Sequence, residues 1–75
     1  MFGVSRETVE RLRERYPEGC RVVLTGMSDP WATKPSEGDE GTVVCVDDIG
    51  TIHVHWDCGS SLGVVYGEDS CRRID

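Results

Sequence analysis

His53, His55, Asp57 and Cys58 fall within the stretch Thr51–Ser61, TIHVHWDCGSS, and these are the residue types that bind metals or activate nucleophiles. Two histidines two apart on a strand can chelate a cation, and a thiol beside an imidazole is the minimal nucleophile and base of covalent catalysis. Neither chemistry is complete here. Asp57 is the only nearby third ligand, and no oxyanion donor is evident around a cysteine in a turn. The same residues read more simply as structure. In a strand, Ile52, Val54 and Trp56 share one face and His53, His55 and Asp57 the other, so the first set makes core and the second meets water.

The four cysteines, Cys20, Cys45, Cys58 and Cys71, lack the two-to-four-residue pairing of a zinc knuckle. They are expected to be separate reduced thiols, with Cys45 inside TVVCVDD acting as a small core hydrophobe. No metal and no cofactor are therefore predicted, and the chain is not expected to be an enzyme.

The elements that would position these residues are short. A chain of 75 residues is one small domain, and such a domain buries only about 60% of the surface its unfolded chain exposes. VSRETVERLRERYPEG predicts one amphipathic helix within residues 1–18. Ser5 serves as N-cap, Val4 and Val9 stand at the spacing of a hydrophobic staple, and Pro17 and Gly19 end it. Val9, Leu12 and Tyr16 form its apolar stripe, which is expected to lie on the chain's own domain, the alternative being that it docks on a partner or a second copy. Residues 19–75 change texture. CRVVLT, GTVVCV, TIHVHW, SLGVVY and CRRI are five strand-like runs with turn signals between them, the pattern of a closed or nearly closed all-β unit. Together these predict a mainly β fold, a small five-stranded SH3-like barrel with one N-terminal helix.

Charge narrows the partners. The chain carries eight Lys and Arg against 14 Asp and Glu. Four of the eight cations lie in Met1–Tyr16, leaving four against eleven acids from Pro17 onward. A duplex backbone is held by clustered cations that displace counterions, so nucleic-acid binding is disfavoured. The start, MFGVSRETVE, resembles no secretory leader, and no apolar run reaches membrane-spanning length. A soluble cytoplasmic protein is expected.

From about Arg15 to Ile74 the chain resembles the family of the domain of unknown function forty-three-fourteen, small proteins of bacteria, phages and mobile elements. RYPEG, VVLTGMSDPWA, GDEGTV, VDDIGTIHVHWDCGSSLGVV and GEDSCRRI carry the likeness. GTVV followed by VHWDCGS and YG is more distantly similar to mind-bomb/HERC-type modules, which implies an SH3-like barrel. Such modules more often carry asparagine before the glycine of the turn. Cysteine there adopts a positive φ less readily, which predicts a longer turn.

SH3-like barrels frame a groove with the long loop after the first strand and a neighbouring turn, offering aromatic walls and acidic rims to peptides. Met27, Asp29 and Trp31 in that loop, Glu37, Asp39 and Glu40 on its acidic return, and Tyr66 are the candidate groove residues. The expected function is a non-catalytic protein- or peptide-binding module, associated through the family resemblance with phages or mobile elements. Two alternatives are an acidic decoy of a nucleic-acid-binding surface and a nucleic-acid binder using Arg6, Arg11, Arg13, Arg15, Arg72 and Arg73.

Overall fold

The computed structural model describes residues 4–27 and 35–75. Helix α1 spans Arg6–Arg15 and begins at Ser5, whose extended backbone lets its hydroxyl accept the Thr8 N–H at 3.1 Å. It ends one residue before Tyr16 because the ring of Pro17 crowds the preceding residue out of helical space. Tyr16 accordingly sits at φ −123° and ψ 67°, still donating its N–H to Leu12 O. Val9 and Tyr16 are buried and Leu12 packs partly against the core, so the apolar stripe is covered by the chain's own sheet. Arg13 ties the helix down: its Nε donates to Val46 O at 3.0 Å and its Nη2 meets Asp48 Oδ1 at 2.9 Å.

The strands are β1 (Arg21–Gly26), β2 (Glu40–Val46), β3 (Thr51–Trp56), β4 (Val64–Val65) and β5 (Ser70–Arg73). They form one antiparallel sheet in the order β4-β3-β2-β1-β5. The ladder is not closed. β4 and β5 are its two edges, which approach within 8 Å, and the turn that joins them holds an isolated bridge between Tyr66 and Asp69. β4 is shorter than the expected run from Ser61 to Tyr66. The backbone before it is engaged elsewhere: Ser60 O accepts the Trp56 N–H, Leu62 O accepts the indole N–H of Trp56 at 2.7 Å, and the Ser60 hydroxyl takes the Leu62 N–H.

Alternation along β3 holds as read. Ile52, Val54 and Trp56 are buried with Val22, Leu24, Val43 and Val64 in one core, while His53 and His55 lie on the outer face. In β2 it fails at one point. The register slips between Val43 and Cys45, a bulge that sets Val44 and Cys45 both outside before Val46 turns in again. Cys45 is therefore exposed, and its expected place in the core is corrected. In the DCGS turn the positive φ falls on Gly59, at 98°, and not on Cys58, and the Gly59 N–H donates to Trp56 O; no non-glycine has positive φ among the described residues. Gly50, at φ 84°, is needed for a second reason: a Cβ there would come within 2.9 Å of Val4, which packs over it.

Candidate functional site

The two acids nearest the histidines are each committed to hydrogen bonds, Asp47 with His53 and the turn backbone and Asp57 with Arg21. Asp47 organises the β2–β3 turn. Its Oδ1 accepts the N–H groups of Ile49 and Thr51 at 3.1 and 2.9 Å, and its Oδ2 accepts from His53 Nε2 at 2.9 Å. Partial burial pushes the Asp47 carboxyl up, but the bonds from His53, Thr51 and Ile49 outweigh it and leave it below its ordinary value. Asp57 is gripped by Arg21, which reaches both carboxylate oxygens, Thr42 Oγ1 at 3.0 Å and Glu40 at 3.5 Å. Those bonds hold the Asp57 carboxyl below its usual range and the Arg21 guanidinium above its own. Among the described residues no group of three His, Cys, Asp or Glu side chains is placed to hold a metal ion.

All four thiols are free. Cys20 and Cys71 both lie near Tyr16 in the core, yet Leu24 pairs with Cys71. Cys20 lies four residues before that rung, and neither thiol is in a disulfide.

The candidate groove residues fall into separate places. Asp29 and Trp31 lie outside the described residues. Met27 follows β1 and packs partly against the core. Glu37 is exposed, and Asp39 stands beside the rung of Leu24, its Oδ2 accepting the Ser36 N–H and its carbonyl the Leu24 N–H. Glu40 belongs to the Arg21 cluster, next to the end of β3, where its carbonyl accepts the Asp57 N–H. Tyr66 belongs to the start of β3, beside Gly50. Six residues of strand put these two roughly 17 Å apart along β3.

Tyr66 instead overlooks a hollow of about 340 Å³ between the helix and the two sheet edges. Buried Tyr16, Ile52 and Val64 form its floor, partly buried Leu12 and Cys71 its sides, and Tyr66, 53% exposed, its rim. Tyr16 donates its hydroxyl to Cys71 O at 3.3 Å. Burial raises the Tyr16 hydroxyl above its ordinary value and pushes the Cys71 thiol up to about 11, so both stay protonated at neutral pH. A protonated thiol is a poor nucleophile. The hollow offers apolar and aromatic surface for binding, with the exposed Arg15 also on its rim.

Sequence reasoning singled out Tyr66 as a groove residue and Leu12 and Tyr16 as members of the helix's apolar stripe, but did not bring the two together. A second hollow, about 360 Å³, lies on the outer face against Val44, Cys45, His53 and His55. It exists because the bulge puts two consecutive side chains outside.

A family model described as Domain of unknown function (DUF4314) matches residues 5–74. Neither a curated protein nor a solved structure matches the chain.

Proposed function

The chain belongs to the DUF4314 family of domains of unknown function, and we propose that it is a non-catalytic module that binds a protein or peptide partner at the Tyr66 hollow. The observation that carries this reading is a half-exposed tyrosine standing over a buried apolar floor. Aromatic side chains with one wet face and one apolar face are the usual anchors of interfaces, because they contribute large contact area at little conformational cost. An SH3-like arrangement belongs to the same proposal. It draws support from the five antiparallel strands and the approach of β4 to β5.

The charges favour this reading over nucleic-acid binding. Arg6, Arg11, Arg13, Arg21 and Arg73 each face a carboxylate, which removes most of the cations a phosphate backbone would need. We further propose, on the family resemblance, a cytoplasmic site of action in a phage or mobile-element setting. No described helix is long and apolar enough to cross a membrane.

The test is selection of the full chain against a random heptapeptide display library, followed by amide chemical-shift mapping of a selected peptide. Shifts centred on Leu12, Tyr66 and Cys71, with binding lost in Tyr66→Ala at an unchanged melting temperature, support the module. Absence of any selected peptide, or shifts confined to the outer face around Val44 and His55, would refute this site.

A further inference from the structure

The Tyr66 hollow carries one more feature than an apolar anchor needs. Arg15, in the last turn of α1, lines it with its guanidinium carbon 5.9 Å from the centroid of the Tyr16 ring. Among the described residues it forms no ion pair with a carboxylate, although the chain has nearly two acids for every cation. The other charges nearby are engaged. Arg73 donates Nη1 to Arg15 O at 3.3 Å and holds Asp75 through Nε at 2.7 Å. Asp69, across the hollow, accepts the Val65 N–H on Oδ2 at 3.0 Å and has further interactions of its own. Among the described residues Arg15 is thus the one cation of the lining, held beside an aromatic face over an apolar floor.

Resting on the binding-module reading, we infer that the hollow takes an apolar side chain of a partner peptide with an acidic residue adjacent to it, the carboxylate meeting the Arg15 guanidinium. A guanidinium stacked on a ring keeps its fork of donors free for a carboxylate, and such charge-assisted pairs are about twice as strong as neutral hydrogen bonds. The net charge of −6 works against an acidic partner at long range. That repulsion is screened beyond a Debye length of about 8 Å at physiological salt, whereas at contact the nearest charge decides. The same arrangement disfavours a lysine or arginine beside the apolar anchor, because it would sit against Arg15.

The composition of the heptapeptides selected by the full chain reads this directly. Enrichment of Asp or Glu next to a Leu, Ile, Phe or Trp is the expected result. A selected acidic peptide should then bind Arg15→Glu about tenfold more weakly than the unaltered chain, and Arg15→Gln by less, the loss expected for one charged hydrogen bond. Arg15 is exposed and its backbone carbonyl still accepts from Arg73 in both variants, while the side chain gives up only its contact with Tyr16, so both should melt close to the parent. Selected peptides that are neutral or basic at the hollow, or that bind Arg15→Glu undiminished, overturn the acidic partner while leaving the module intact. Selection of no peptide overturns both.

Discussion

Trp56 is the side chain on which the core turns, and its removal tests the strand register. It is fully buried, its indole N–H donates to Leu62 O at 2.7 Å, and its ring lies so close to Gly41 that a Cβ there would come within 2.9 Å of Cε3. Truncating a buried tryptophan to alanine costs about 3–5 kcal/mol, since the transferred area and the residual cavity both count. A 75-residue domain has roughly 4–11 kcal/mol in all, at 0.05–0.15 kcal/mol per residue. Trp56→Ala should therefore remove between about a quarter and all of that stability. Trp56→Phe keeps most of the ring and gives up the bond to Leu62 O, which solvent can partly replace, so about 1–2 kcal/mol is expected. His53→Ala, on the opposite face, loses only the bond to Asp47 and should cost about 1 kcal/mol. Urea unfolding followed by far-UV circular dichroism gives the three values. Equal losses for Trp56→Ala and His53→Ala would mean that the inward face of β3 has been misassigned, and the register from Gly41 to Val46 would fall with it.

Gly41→Ala should destabilise by about 1–3 kcal/mol through overpacking, because its Cβ would come within 2.6 Å of Val54 Cγ1; an unchanged urea midpoint would refute the close approach of β2 to β3. Thiol titration with a disulfide reagent should show Cys45 and Cys58 reacting at once and Cys20 and Cys71 slowly, since the first two are exposed and burial raises the other two; a Cys45 that reacts as slowly as Cys20 would refute the bulge. Asp47 has a carboxyl depressed in the folded state, so its stabilisation is fully present above the unfolded value of about 3.9 and is lost as pH falls through the lower folded value. The stability gap between the parent chain and Asp47→Asn should narrow below about pH 4, and a gap constant from neutral to acid pH would contradict the turn geometry.

Much of this fold is written in local pattern. A capping serine, a proline after Tyr16 and apolar residues three and four apart are sufficient to mark α1, because each acts within one or two helical turns. Alternation in Thr51–Trp56 separates core from surface for the same reason: the period belongs to the strand itself. Cys45 shows where that ends. A bulge is a relation between two strands, and nothing in GTVVCV states that Val43 will pair with Val54 while Cys45 pairs with His53. The run SLGVVY has the composition of a strand, yet the Trp56 indole and the Ser60 hydroxyl claim the backbone at Leu62 and leave two residues for β4.

The candidate site divides along the same line. Composition and spacing alone determined that Ile52, Val54 and Trp56 share the face opposite His53 and His55, that the chain is mainly β with one helix, and that Tyr66 is an aromatic residue near a strand end. Only the tertiary structure decided that Tyr66 faces Leu12, Arg15 and Cys71 and is set apart from Glu40, and that the sheet stays open between β4 and β5. The meeting of Tyr66 with Leu12 and Arg15 joins residues more than fifty positions apart. All these relations depend on how far the sheet curls and where the helix docks on it, which are set by packing among several elements at once and leave no periodic trace in any one of them.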